Sequence, residues 1–271
     1  MLKTRIITAL LLVAGLALIL FALPPRAAVM SFAAVAALAG WEWGGLMKQD
    51  RPACVMYAFV LLLFCWQLTV AVPELVPVLL GISAVFWIVV VPLWLRFKWT
   101  LAGNDAFGYL LGALVILPMW AAMVALHAVS TWLLLAAMAL VWVADISAYF
   151  SGRAFGRRKL APTISPGKTW EGVAGAVVGV FIYAGLVLSF SPLAALLKDM
   201  PPLAMPVIVL MLILLTAVSV IGDLFESLLK RQAGIKDSSN LLPGHGGVLD
   251  RIDALTSTLP LAALILYFVQ P

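Results

Sequence analysis

The sequence predicts an all-α, polytopic integral membrane protein of about nine transmembrane helices, and three observations carry that reading. Hydrophobic residues make up 65% of the chain and charged residues only 11%, against about 25% charged in an ordinary soluble domain. Mean hydropathy is +1.14. Apolar runs recur along the chain at the roughly 17–25 residues needed to cross a hydrocarbon core. A soluble fold of 271 residues has too little interior to hide that much apolar surface, so lipid is the expected solvent for most of it.

Taken in order, the first run covers 6–23 and follows Lys3 and Arg5. A charged start and an apolar middle also describe a signal peptide. Pro24-Pro25-Arg26 is a poor small-residue cleavage site, however, and another apolar stretch follows at once, so an uncleaved first helix is expected. Further runs lie at 27–46, 53–72, 75–95, 106–126, 131–150, 172–190, 204–229 and 254–270. The break at Pro73-Glu74 is short enough for a tight hairpin. Cys54 and Cys65 fall in one run, about 16 Å apart along a helix axis, too far to bond; they read as small core residues. No internal repeat or soluble domain interrupts the pattern. The chain is therefore one membrane domain, 1–271, with an N-terminal helical part (1–100) and a part (101–271) carrying two polar segments, 145–172 and 223–253.

Charge sets the orientation. With a cytoplasmic N-terminus, nine crossings put 15 of the 17 Lys and Arg on the cytoplasmic side and leave only Arg26 and Lys198 outside, the asymmetry expected of an inner-membrane protein. The net charge of +5 is concentrated in two cytoplasmic loops, 151–171 and 230–253. That pattern fits a topology signal in contact with anionic lipid headgroups, or a site for a polyanion; no nucleic-acid partner is expected.

Acids within apolar runs cost several kcal/mol unless they pair or bind cations, and Glu42, Asp145, Asp223 and Glu226 are such acids. Glu42 stands between Trp41 and Trp43 near a run's end, where an interfacial position accounts for it, and no role is expected of it. Asp223, Glu226, Ser227 and Lys230 follow the spacing i, i+3, i+4, i+7 and share one helix face. A Glu226–Lys230 pair at the helix end explains part of that face, but not Asp223 one turn deeper. Beyond it, Pro243-Gly244-His245-Gly246-Gly247 cannot continue a helix and frees backbone N–H groups to approach a ligand. Asp250 and Asp253 open the last helix, where acids suit the helix dipole; beside Asp223 they would instead make an oxygen-rich cation site, with magnesium the expected ion where phosphates share the coordination. His245 is a turn residue, a phosphate donor or a proton carrier, and with no Cys or second His nearby it is not a zinc ligand. In the other segment, Gly167-Lys168-Thr169 imitates half of a P-loop, but Pro162 stands where that loop needs glycine. What survives is Ser165, Lys168 and Thr169 ahead of a helix start, a phosphate cradle with Lys168 as a point charge.

The stretch Ser227–Asp253 resembles the signature of the phosphatidate cytidylyltransferase (CDP-diacylglycerol synthase) family: S-x-x-K-R, then K-D, then P-x-H-G-G, then D-R-x-D, with every fixed position present. The upstream SGRAFGRRKLAPTISPGKTWEG resembles the family's second conserved loop, though Asp145-Ile146-Ser147 stands where Asp-Thr-Gly is common. The resemblance implies the reaction CTP + phosphatidate giving CDP-diacylglycerol + pyrophosphate, dependent on Mg²⁺, in the bacterial inner membrane with the active site at the cytoplasmic face. By the same resemblance Asp223 and Asp250 would hold the metal, with a second cation left open. Ser227, Lys230, Arg231, Lys236, Asp237 and His245 would be catalytic. Ser165, Lys168 and Thr169, with Asp145, Gly246 and Gly247, would position the triphosphate or the lipid phosphate, and the enzyme would be a homodimer. A CTP-dependent lipid kinase is the nearest rival. A membrane transporter would also carry intramembrane acids but has no need of these two loops, and no D-G-x-x-A-R run points to a CDP-alcohol phosphotransferase.

The charge division predicts a cytoplasmic N-terminus and a periplasmic C-terminus. A reporter fused after Pro271 should be active only in its periplasmic form; cytoplasmic activity would mean that the number of crossings is even.

Overall fold

The structure, a computed structural model, describes residues 2–101, 104–190 and 204–269. Among the described residues nine helices are long and apolar enough to span a membrane, and each coincides with one expected run. They are α1 (Lys3–Ala22), α2 (Pro25–Leu46), α3 (Arg51–Val70), α4 (Pro73–Phe97), α5 (Asp105–Val129), α6 (Thr131–Phe155), α7 (Trp170–Ser189), α8 (Met205–Ala233) and α9 (Leu249–Phe268). Lys198, counted on the outer side, lies outside the described residues. Local chemistry sets several starts. Asp50, Asn104 and Ser130 each accept a backbone N–H of the following first turn, from Ala53, Phe107 and Trp132, so orphan donors at those ends are satisfied. Both cysteines are buried and free.

One element was not expected. Between α6 and α7 the chain forms an antiparallel hairpin, β1 (Lys159–Ala161) and β2 (Ser165–Thr169), with Lys159 opposite Thr169 and Ala161 opposite Ser165. Only a few residues long, it gives neither alternation nor turn signal enough to be read from sequence. Its effect is to present Ser165 and Lys168 from a pleated ribbon that runs straight into α7.

Lipid gives helices no hydrophobic reason to associate, so close approach through small residues has to supply the contact energy. The helix pairs that build the functional end all use it. Gly175 and Gly179 of α7 lie against Ser151 and Ser147 of α6 so closely that a Cβ on either would overlap the serine side chain. Gly222 of α8 meets Ser257 and the Asp253 carbonyl of α9 in the same way, and Ser257 Oγ donates to Val218 O at 2.9 Å. Helix α5 is the core of the bundle, with 67% of its span buried against 11% for α1. It holds α2 and α3 by polar ties: Trp43 Nε1 donates to Gly108 O at 3.0 Å and Tyr57 OH to Tyr109 O at 2.7 Å. Together these contacts fix α2, α6, α8 and α9 around one end of the bundle, where the hairpin and the α8–α9 loop also lie.

Candidate active site

The polar face of α8 behaves as its spacing predicts. Lys230 Nζ stands 2.7 Å from Glu226 Oε2 and 2.6 Å from Asp250 Oδ1, and both carboxylates are buried, at 4% and 8% exposed. The intrahelical pair is thus real, and Asp250 joins it from α9. One turn deeper, Asp223 is ion-paired with Lys168 of β2 and accepts from Ser227 Oγ at 3.2 Å. Asp253 is partly buried, and its charged neighbours are Asp223, Glu226 and Asp145. Asp145 of α6 in turn lies within electrostatic reach of Asp223, Lys168 and Arg251. Four elements far apart in sequence therefore bring five carboxylates and three cationic side chains together.

The α8–α9 loop is organised by two of its neighbours' carboxylates. Asp250 Oδ2 accepts from Gly247 N at 2.8 Å and Ser238 N at 2.9 Å, with Ser238 Oγ at 3.0 Å. Glu42 of α2 accepts from Leu249 N at 2.6 Å, Ser239 Oγ at 2.6 Å and Val248 N at 2.9 Å, and shares with Asp250 the single proton of Ser238 Oγ, 3.0 Å from each carboxylate. Glu42 is 1% exposed, so the interfacial, roleless position expected for it is wrong. Its carboxylate reaches across the bundle and holds both ends of the loop. A second expectation changes with it. Of the turn's N–H groups, expected to approach a ligand, that of Gly247 is taken by Asp250 and that of His245 by Leu242 O at 2.8 Å, while the next two, of Val248 and Leu249, go to Glu42. Glycine is required for the fit: a Cβ on Gly247 would come within about 2.5 Å of the Glu42 carboxylate, and Gly246 adopts φ +82°, which side chains disfavour. The signal for Glu42 was present in the sequence as an acid in an apolar run; its two tryptophan neighbours suggested the interface instead.

Two cavities flank this network. One, about 460 Å³, is polar and lined by Lys236, Asp237, His245, Gly246 and Arg251, with Arg5 from the start of α1. His245 Nδ1 is buried and has no hydrogen-bond partner among the described residues. The other, about 400 Å³, is lined on its polar side by Asp145, Arg153, Ser165, Lys168 and Asp223 and on its apolar side by Ala148, Leu160, Val173 and Val220. Arg251 lines the first and lies within electrostatic reach of Asp145 of the second; the two linings share no residue. Not every expected residue enters them. Arg231 is exposed, reaches Ile235 O at 3.4 Å and lines neither. Thr169 borders the second cavity, but its hydroxyl is buried and accepts from Gly172 N at 3.1 Å, which caps α7 rather than offering a phosphate contact.

The residues suit a magnesium ion. Their donors are hard carboxylate oxygens, and carboxylates outnumber cations five to three. Asp223 and Asp250 each carry a lysine ammonium, from Lys168 and Lys230, where a cation would be held. No three His, Cys, Asp or Glu among the described residues form a ready metal cage; magnesium is commonly held by one or two carboxylates with waters and substrate phosphates.

The fold is that of an all-α polytopic membrane protein with a charge network and two cavities at one end. The chain belongs to the cytidylyltransferase family, whose sequence model matches residues 3–269. It is 41% identical to a phosphatidate cytidylyltransferase of Pseudomonas aeruginosa, covering 98% of this chain and 97% of that one. It is 36% identical to a protein of the same name from Haemophilus influenzae over 99% of this chain and the whole of the other. A phosphatidate cytidylyltransferase of Bacillus subtilis is 42% identical over 49% of this chain and 45% of its own.

The clamp on the loop has a measurable consequence. Glu42→Gln turns an acceptor of four contacts into a group that also donates, and each buried N–H left without an acceptor costs about 1–3 kcal/mol. The variant should melt earlier in detergent and lose about tenfold or more in turnover, with Glu42→Ala worse. Wild-type melting and turnover in Glu42→Gln would show that the loop is held by Asp250 alone.

Proposed function

We propose that this chain transfers CMP from CTP to phosphatidate, giving CDP-diacylglycerol and pyrophosphate, at the cytoplasmic face of the bacterial inner membrane. The observation that carries the reading is a polar, cation-lined cavity and a half-apolar cleft set beside one network of acids and lysines. A water-borne triphosphate suits the first and a lipid headgroup with its acyl stems suits the second. The names of the full-length relatives support the same substrates. The family resemblance is the sole support for a homodimer.

A phosphate oxygen of phosphatidate attacks the α-phosphorus of CTP, and the bond from that phosphorus to the bridging oxygen of the β-phosphate breaks, releasing pyrophosphate. The lipid phosphate is already a nucleophile, so the protein needs no covalent intermediate. Its task is to align two anions and neutralise them. Lys236, His245 and Arg251 draw in the triphosphate. Arg153, Ser165 and Lys168 receive the lipid phosphate. Lys168 is shared between Asp223 and an incoming phosphate, so binding exchanges one negative partner for another rather than exposing a bare charge, while Lys230 stays between Glu226 and Asp250 and holds the site's acids in place. Asp223 and Asp250 would hold magnesium, with Asp253 and Asp145 beside them and a second cation accommodated by the same acids. The ion, when bound, offsets phosphate charge and steadies the departing pyrophosphate.

Two tests follow from this scheme. With CTP labelled at the α-phosphate, label should enter the lipid; with γ-labelled CTP the lipid should stay cold and the pyrophosphate carry the label. A CTP-dependent lipid kinase gives the reverse, and a transporter labels neither; γ label in the lipid would overturn the reaction.

Charge, rather than shape, should matter at the cleft. Asp223→Asn and Lys168→Met should each lower turnover by about 10²-fold or more, the scale of losing one electrostatic stabiliser, while Lys168→Arg keeps partial activity. Near-normal turnover of Asp223→Asn at limiting Mg²⁺ would remove the metal from that residue.

A further inference from the structure

One wall of the polar cavity comes from outside both signature loops. Arg5, in the first turn of α1, lines it together with Lys236, His245 and Arg251. Two contacts seat the helix there. Thr8 Oγ1, one turn on, donates to Pro243 O at 2.9 Å across 235 residues of sequence. The Arg5 stem packs on Gly244, where a Cβ would come within 3.0 Å of Arg5 Cγ; Gly244 also adopts φ +78°, so glycine serves both the turn and the close approach. These contacts stand out because α1 is otherwise the least buried span, with most of its side chains facing lipid.

The cavity's charge is unbalanced. Arg5, Lys236 and Arg251 face a space with Asp237 as the acid in its lining, and among the described residues none of the three forms an ion pair. Like charges gathered around a concave surface repel one another and focus a positive potential on whatever enters. A topology signal needs only a cation near the helix start, which Lys3 already supplies; it does not need a guanidinium seated on a glycine turn. Arginine's fork of donors matches phosphate oxygens two at a time.

We infer that Arg5 is a polyphosphate-binding residue of the nucleotide cavity, so that α1 is a wall of that cavity as well as a membrane anchor. The inference rests on the proposed reaction for the identity of the nucleotide. A lipid headgroup presents phosphate oxygens of the same kind, and the experiment separates it from the triphosphate.

Purified full-length protein in lipid nanodiscs tests this in two ways. In steady-state kinetics Arg5→Gln should raise KM for CTP about tenfold, with kcat and KM for phosphatidate within about twofold; Arg5→Lys should recover most of the loss and Thr8→Val should show a smaller rise in the same constant. In the second, Arg5→Cys is labelled with a charged, membrane-impermeant thiol reagent, to which the buried Cys54 and Cys65 are closed. Saturating CTP or pyrophosphate should slow the labelling severalfold, and CMP or phosphatidate should not. A raised KM for phosphatidate together with protection by phosphatidate would give the cavity to the lipid and overturn the assignment. Unchanged KM values and no protection would return Arg5 to a topology role. Protection by pyrophosphate in a protein that transfers no CMP would sink the reaction while leaving Arg5 as a polyphosphate ligand.

Discussion

The functional end of this molecule depends on one buried ammonium. Lys230 is held between Glu226 of its own helix and Asp250 of the next, in a part of the bundle where an unpaired charge would cost several kcal/mol. The pairing is what allows Asp250 to be buried, and the buried Asp250 is what folds the α8–α9 loop back on itself through Ser238 and Gly247. Glu42 closes the far side of that loop from α2. Removing any one of these groups leaves the others as uncompensated polar atoms in a dry setting, so the loop's shape and the ion network stand or fall together.

Small residues make the network possible. Ion pairs of this length require helix axes close enough for short side chains to meet, and Gly222 against Ser257 brings α8 and α9 to that distance. Gly175 and Gly179 do the same for α6 and α7, which carries the hairpin, and with it Lys168, to Asp223. The tryptophan and tyrosine ties to α5 then keep α2 from drifting and hold Glu42 at the loop. Rigid packing in the membrane and charge pairing at its end are thus two parts of one arrangement.

For a transfer between a water-soluble nucleotide and a lipid, the difficulty is less the bond than the meeting of two anions from different phases. In the proposed reaction the chain would meet it by placing cations on both sides of a carboxylate group rather than in a single pit. The polar cavity opens among the loop residues, and the cleft beside the hairpin keeps an apolar wall. Arg251, bordering one and acting on the other, joins the two fields.

Periodicity and composition alone determined the nine helices long and apolar enough to span a membrane among the described residues, because hydrocarbon thickness and the need to satisfy backbone groups internally favour a helix for each long apolar run. Spacing alone placed Asp223, Glu226, Ser227 and Lys230 on one face, since an α-helix repeats every 3.6 residues. What lies across the bundle was not legible. That Lys168 pairs with Asp223, that Glu42 grips a loop some 200 residues away, and that Gly247 at the end of the glycine-rich turn gives its N–H to Asp250 are facts of helix docking, decided by which small residues let two backbones approach. The hairpin and the cap made by Thr169 were hidden for a related reason: each is a few residues long, and its partners are chosen by the helices on either side. Sequence determined the chemistry available and the faces that carry it; the tertiary structure decided which charges meet, because a pair distance of a few ångströms depends on contacts that no local pattern records.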